Sequence, residues 1–532
     1  LQITLVVFND IDNIDWEFGH KIAISYATKS LLDARESILK LEATHILFWD
    51  LFIGNLPTKN QLEKTINSKG NLWHIGSKIG LSEKPYLLDA IQPTSMLHLT
   101  INHKINHSSW KNTFRGCLLE KRVFDFIDLS KYSDSLDIIG LDFGYKAMKS
   151  GVITRYSVIL SEDIVEKKAS LKLKEELLFI RNNFDTKAFI WTYITNLFKI
   201  SPISFYKAFS KNEKKELIVF NHSKEEDILV NKDISTSIVI ATLERYEVLK
   251  NELKELQQLN PAPNEIIIVD QTPKEKRDAT FLKGFSDLPI IYLEIEKIGQ
   301  CSARNLGIQT AKSKFIWFLD DDMEEIPINY LQKHLETIYN LNAGISCGIP
   351  DEIGTNYINR DIAKIELSSG FPTNDVLVKR DLLIKVGGFD EKMDQLQSED
   401  EELGLRCVKS GALNVKNNQL RIVHLRASRG GLRNHNVRKT TFASSRNSLF
   451  QRRFLHYSEI YSHFKHFTKK QVKKKLLLNI RGTFIVRGSS FRKIVKIFIG
   501  ILILPNTIFI LLKRSRVAKN IYREKSNTLK NL

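Results

Sequence analysis

Short apolar runs and amphipathic stretches alternate between about residues 235 and 430. The runs are SIVIA (237–241), EIIIVD (265–270), IIYLEI (290–295), KFIWFLD (314–320) and GISCGI (344–349). Each is short and continuous and closes on a turn or an acid, as strands buried on both faces do. Between the first two, Leu249, Leu253, Leu256 and Leu259 recur at helical spacing within 247–259. The alternation predicts an α/β domain with a largely parallel sheet, in which ligands bind beyond the carboxyl ends of the strands. Asp270 and the triplet Asp320, Asp321 and Asp322 fall at such ends.

The chain also echoes itself. HILFWDLFIGNLP (45–57) aligns with FIWFLDDDMEEIP (315–327), setting Asp50 against Asp320 and Pro57 against Pro327. LDFGYKAMKSGV (141–152) aligns with EELGLRCVKSGA (401–412), and RNNFDTKAFIWTYI (181–194) with RNSLFQRRFLHYSE (446–459). Three matches in order predict a duplicated module. In the first copy Leu51 and Phe52 stand opposite Asp321 and Asp322, and Ile139 and Gly140 opposite Glu399 and Asp400. Residues 1–160 are therefore expected to be a degenerate, non-catalytic module, followed by a Lys/Glu-rich helical bridge over 161–232.

A length of 532 residues accommodates several domains. Cys117, Cys301, Cys347 and Cys407 are far apart, with no CxxC and no paired His spacing. That argues against a disulfide scaffold or structural zinc and fits a reducing compartment. The opening LQITLVVFND has neither a basic n-region nor a cleavage site, so no signal peptide is expected there.

Net charge changes the picture once it is located. The formal charge is +18, and residues 451–532 carry 20 Lys and Arg against Glu459 and Glu524 alone, so the rest of the chain is balanced. A basic tail suits nucleic acid or an anionic membrane. The 19-residue run from Ile494 to Leu512, interrupted by Lys496, Pro505 and Asn506 and closed by KRSR, favours the membrane. Basic amphipathic helices are expected over 441–532, with a kinked or interfacial insertion at Pro505, and no nucleic-acid partner.

Three aspartates at one strand end are costly unless a cation neutralises them, and hard carboxylate oxygens suit Mg²⁺ or Mn²⁺ with positions open for phosphate. Glu399 and Asp400 open a helix whose Leu403, Leu405 and Val408 face inward. Capping or the helix dipole explains one acid there but not four in succession. A carboxylate so placed can take a proton from an attacking hydroxyl. His424 follows a short apolar run and leads into a Gly-rich basic loop. A nucleotidyltransferase would want a Gly-rich phosphate loop after the first strand, and none is present. A non-catalytic membrane scaffold would leave the two acidic clusters without a purpose.

Five segments in this order resemble the inverting family 2 glycosyltransferases of GT-A fold: SIVIATLERYEVL, IIIVDQT, CSARNLGI, FLDDDMEE and GGFDE with EDEELGLR. The resemblance covers about residues 235–435 and implies a catalytic domain over 233–440. It implies that Thr242 and Glu244 contact a nucleotide-sugar donor, and that Asp270 binds its base. Arg304 and Asn305 would lie by the nucleotide, with Asp320 and Asp321 also at the donor. Asp320 and Asp322, completed by His424, would hold Mg²⁺ or Mn²⁺. Asp400, beside Glu399, would be the catalytic base. The expected acceptor is a cell-surface glycan or lipid-linked hydroxyl, at the cytoplasmic face of the cell membrane. In its opening turn the chain reads ATLERYE where many relatives carry Pro and Asn.

Overall fold

The computed structural model describes residues 2–8, 14–26, 28–81, 87–99, 101–126, 135–165, 169, 171–210, 218–222, 228–229, 234–352, 364–425 and 442–524. The basic loop after His424 lies outside the described residues. Contacts divide the chain into two compact units. The first is Leu1–Lys224 with Lys364–Leu367 and Lys409–Leu413; the second is Glu225–Ala363, Ser368–Val408 and Asn414–Leu532.

The first unit holds strands β1 (Ile3–Phe8), β2 (Lys21–Ile24), β3 (His45–Trp49), β4 (Leu72–His74), β5 (His107–Ser108), β6 (Gly116–Glu120) and β7 (Thr154–Tyr156). They form one sheet in the order β2-β1-β3-β6-β4-β7-β5. β1 is buried along its whole length, Thr4 included, and β3 from Ile46 to Trp49, with Phe48, Phe114, Phe124 and Phe143 packed ring against ring.

The second unit holds β8 (Thr236–Thr242), β9 (Glu265–Asp270), β10 (Ile290–Glu294), β11 (Phe315–Asp320), β12 (Met323–Glu324), β13 (Ile345–Cys347), β14 (Asp351–Glu352), β16 (Asp375–Lys379), β17 (Asn414–Asn417) and β18 (Val423–His424), while β15 (Ile365–Leu367) falls in the segment Lys364–Leu367 of the first. The five strands expected from the apolar runs are all present, and so is the Leu-spaced helix, as Tyr246–Leu256. Within this unit the main sheet runs β10-β9-β8-β11-β16-β13-β17, and β12-β18-β14 make a separate small sheet. It is a mixed, mostly parallel α/β sheet. β16 runs antiparallel to both β11 and β13.

Without the edge strand β10, the second sheet follows the strand order of the first. The sense of each neighbouring pair through β17 matches too: parallel, parallel, antiparallel, antiparallel, parallel. Two of the three sequence echoes fall on equivalent structure. Asp50 follows β3 as Asp320 ends β11, and the helices Leu136–Ser150 and Glu399–Lys409 are both followed by a left-handed glycine, Gly151 and Gly411. The third echo does not: Thr186–Ile194 is helical, whereas residues 448–456 are not.

The region expected to be a separate tail proves to be partly built into the second unit. Helix Tyr457–His466 presents Tyr461, Lys465 and His466 to Asp390 and Glu402. Glu402, with none of its surface exposed, accepts a bidentate pair from Arg406 (2.7–3.0 Å) and further contacts from Lys465 (2.7 Å) and His466 (3.2 Å). Lys465 and Tyr461 also reach Asp390. A carboxylate this deeply buried requires such cations, and they hold its pKa well below the ordinary range against the opposing effect of burial. After it, Lys469–Arg481 and Ser490–Arg523 are helical. The last is one 34-residue helix with Pro505 inside it.

Glu402→Ala should lower the unfolding free energy of the second unit by about 3–5 kcal/mol, because three donors lose their buried partner. A carboxylate pKa depressed by folding stabilises fully above its unfolded value, roughly 4.3, and loses that contribution as pH falls toward the folded value. Urea unfolding of wild type and variant should therefore differ most near neutrality, with the gap closing in acid.

Candidate functional site

The site is assembled at the carboxyl end of β11. Asp320 closes the strand, and Asp321 and Asp322 make the turn that follows it. β12 then pairs antiparallel with β18, Met323 opposite His424, and Leu425 N–H donates to Asp322 O (3.0 Å). This two-stranded contact delivers His424, whose Nε2 lies 3.2 Å from Asp322 Oδ1. One ligand atom from each of Asp320, Asp322 and His424 falls within 4.8 Å of the others. Two carboxylates and an imidazole at that spacing suit a hard or borderline divalent cation, so the expected metal residues come together and their donor set fits Mg²⁺ or Mn²⁺.

Asp321 faces inward. Thr242 Oγ1 donates to one oxygen (2.7 Å) and Arg245 to the other (2.7 Å). Burial pushes its pKa up to about 6, with Arg245 opposing the rise. Arg245 also lies 3.4 Å from Asp322. It was not anticipated from the sequence; its cue is the single cation in the ERYE turn. Behind the triplet Glu252 is wholly buried, and burial drives its pKa well up.

Arg304 joins the two acidic clusters. It donates to Asp320 Oδ1 (3.1 Å) and Glu399 Oε1 (3.4 Å), with its guanidinium over the Phe389 ring. The helix that carries it, Gln300–Thr310, is capped across the chain by Asp394, which accepts from the Cys301 and Ser302 N–H groups. Asp400 follows Glu399 at the start of Glu399–Lys409, half-buried, with Oδ1 accepting the Glu401 N–H (2.8 Å). Left-handed backbone at Glu244, Glu325 and Ser398 flanks all three polar segments, a strain that collects at functional sites.

Two expected donor residues are placed differently. Asp270 is fully buried, and its carboxylate accepts from Tyr246 (2.6 Å), Tyr292 (2.5 Å) and the Thr272 N–H (2.8 Å). It orients two tyrosines rather than presenting a free edge to a base. Asn305 spends its amide on Phe389 N–H, Phe389 O and Glu391, so it holds the GGFDE loop in place. Glu244 is at the rim, paired with Lys276 (3.1 Å).

In the first unit the matching position is closed. Asp50 is buried and bound by Tyr26 (2.5 Å) and Arg115 (3.2 Å), and Arg115 reaches on to Asp137 (3.0 Å). Leu51 and Phe52 are exposed, and a side chain on Gly140 would meet the backbone at Thr113 within 2.9 Å.

Residues 237–389 match the family model described as Glycosyl transferase family 2. They form a family 2 glycosyltransferase domain. The chondroitin synthase of Pasteurella multocida (strain Pm70) is 28% identical over 228 residues, 34% of this chain and 24% of the relative. An uncharacterized glycosyltransferase of Haemophilus influenzae is 26% identical over 181 residues, 31% of this chain and 59% of its own. The chain thus spans about a quarter and about three-fifths of these two relatives. A mannosyltransferase from Pyrobaculum calidifontis, solved with GDP-Man and Mn²⁺, aligns with a TM-score of 0.33 at 12% identity, over 56% of this chain and 76% of that one. Within the family 2 domain lie Asp270, Arg304 and the acidic triplet; Glu399, Asp400 and His424 lie beyond the matched residues.

Asp320→Asn and Asp322→Asn should each weaken Mn²⁺ binding by at least about tenfold, the scale on which metal sites respond to loss of a supporting group. Asp321→Asn, whose carboxylate faces Thr242 and Arg245, should weaken it less than either. Calorimetric Mn²⁺ titration of the three full-length variants reads the order directly.

Proposed function

We propose that the second unit is a metal-dependent inverting glycosyltransferase of GT-A type, moving a sugar from a nucleotide-sugar to a hydroxyl of a glycan or lipid-linked acceptor. The observation that carries this reading is the union, through Arg304, of the Asp320–Asp322–His424 cluster with the Glu399–Asp400 helix start, in a segment matching family 2. Asp320, Asp322 and His424 would hold the divalent cation, which when bound offsets the negative charge of a diphosphate leaving group. Arg245 and Arg304 add fixed positive charge beside that position. Tyr246 and Tyr292, oriented by Asp270, supply the flat surface for a nucleotide base. Asp400 accepts the proton of the acceptor hydroxyl as its oxygen attacks the anomeric carbon from the face opposite the departing diphosphate, and that displacement inverts the centre.

The first unit serves this chemistry as a degenerate, non-catalytic copy. Its matching strand order supports a common origin, and Arg115 fills with protein the position that a metal would need. The reading keeps the divisions 1–160, 161–232, 233–440 and 441–532, with 457–466 acting as a structural part of the catalytic domain.

The C-terminal helix is proposed to rest on the cytoplasmic face of an anionic membrane. It is long and apolar enough to span one. Yet Lys496 is fully buried and donates to the Ser448 and Leu449 carbonyls, while Lys392 donates to Glu524 O at the far end. A helix tied to its own domain at both ends favours lying in the interface over crossing it. Its outer face exposes Phe491, Phe498, Leu502, Phe509 and Leu512.

Incubation with a panel of nucleotide-sugars, Mn²⁺ and glycan acceptors, with release of nucleoside diphosphate as readout, tests the central claim. Transfer with one donor is expected, and no donor turning over would overturn it. Asp400→Asn should cut turnover by about 10²–10⁴-fold with donor affinity nearly unchanged. For the membrane contact, salt should release only part of the protein from anionic vesicles, since screening leaves apolar burial untouched. Phe498→Asp with Leu502→Asp should release most of it.

A further inference from the structure

The first unit carries an apolar surface that the proposed reaction does not use. Helices Thr186–Ile194 and Pro202–Ser210 form a hairpin within this unit. Its inner side is packed: Phe189 stacks on Phe205, Tyr193 stacks on Phe205, Arg181 lies over Phe189 and Phe209, and Trp191 donates to Ala90 O (3.0 Å). The outer side is apolar as well. Phe198 at the turn is fully exposed, Tyr206 is 72% and Ile203 69% exposed, and Ile194 and Leu197 are half-exposed. A surface helix pair in water is expected to turn a polar face outward; one that is apolar on both sides has another solvent.

Charge points to that solvent. Residues 186–210 contain no Asp or Glu, and Lys187 at the start of the first helix, Lys199 beside Phe198 and Lys207 near the end of the second are all exposed. Exposed Phe, Leu, Ile and Tyr accompanied only by cations match an anionic lipid surface, where apolar side chains enter the acyl boundary and lysines stay with the headgroups. We propose that the 186–210 hairpin is a second membrane-docking element, inserting Phe198 and its neighbours into the interface of an anionic bilayer. It is independent of the C-terminal helix, which belongs to the other unit.

The experiment uses the full chain with one introduced thiol at a time, Phe198→Cys or Leu502→Cys. All four native cysteines are buried, so a polarity-sensitive thiol dye labels the introduced position preferentially. Each labelled protein is mixed with phosphatidylcholine vesicles with and without phosphatidylglycerol. The 198 probe should blue-shift with the anionic vesicles, less with the neutral ones, and lose the shift when Leu197→Asp and Ile203→Asp are added. A 198 probe that stays unshifted overturns the proposal whatever the 502 probe does. So does a shift without vesicles that grows with protein concentration, because a second copy of the chain would then be covering the hairpin. The 502 probe reports the C-terminal helix alone, so the two membrane contacts succeed or fail separately.

Discussion

Carboxylates gathered at the end of a buried strand need positive charge, and the fold is arranged around supplying it. Coulomb repulsion among Asp320, Asp321 and Asp322 opposes their crowding, and burial of Asp321 and Asp322 adds the cost of desolvation. The protein answers with Arg245 on Asp321, Arg304 on Asp320, and a cluster of donors suited to a divalent cation. Arg304 has a second duty, since its other nitrogen holds Glu399. The position of the helix that carries Asp400 is thereby linked to the position of the triplet. Two segments about 80 residues apart in sequence become one site because a single guanidinium forks between them.

The same rule operates one turn further along that helix. Glu402 is deeper than Asp400 and meets only cations of the protein: Arg406 from its own helix, Lys465 and His466 from a later one. Leaving such a group uncompensated costs more than the pair gains, so the contact fixes geometry more than it adds stability. The consequence is that helix Tyr457–His466, which reads as the start of a basic tail, is a brace for the helix that bears the proposed base. The long C-terminal helix packs on that brace, which places the proposed membrane contact and the proposed chemistry on one connected framework.

Much of this was legible in the sequence, and the missing parts share a cause. Strands β8, β9, β11 and β13 are short apolar runs buried almost throughout, β10 is a half-buried apolar run at the sheet edge, and such runs announce themselves locally. The acidic triplet, Glu399–Asp400 and His424 stand out as costly residues at element ends. The partners do not stand out. Nothing local marks Arg245 as the neutraliser of Asp321, Arg304 as the link to Glu399, or Tyr246 and Tyr292 as the groups that occupy Asp270. Each depends on a contact across the fold. The same holds for Lys465, one lysine among many in a basic stretch until the structure sets it against Glu402. Pro505 disfavours a helix interior, yet the helix continues through it with Lys496, Gly500, Thr507, Leu511 and Ala518 buried.

The two sheets show how little separates a competent site from a closed one. Strand order and pairing sense are the same, and an aspartate stands at the same strand end in both. In one unit that aspartate is followed by two more, and the cations around it leave a face open to His424. In the other it is followed by exposed Leu51 and Phe52, and Arg115 spans from Asp50 to Asp137 much as Arg304 spans from Asp320 to Glu399. An arginine bridge thus occurs in both units, but on different elements: Arg115 lies just before β6, and Arg304 in the helix Gln300–Thr310 before β11. What differs is the number of carboxylates at the strand end. In the first unit Arg115 is set against Asp50 and Asp137, and the position is filled. In the second, three aspartates meet Arg245 and Arg304, and the proposed function gives the remaining negative charge of Asp320 and Asp322, beside His424, to a divalent cation.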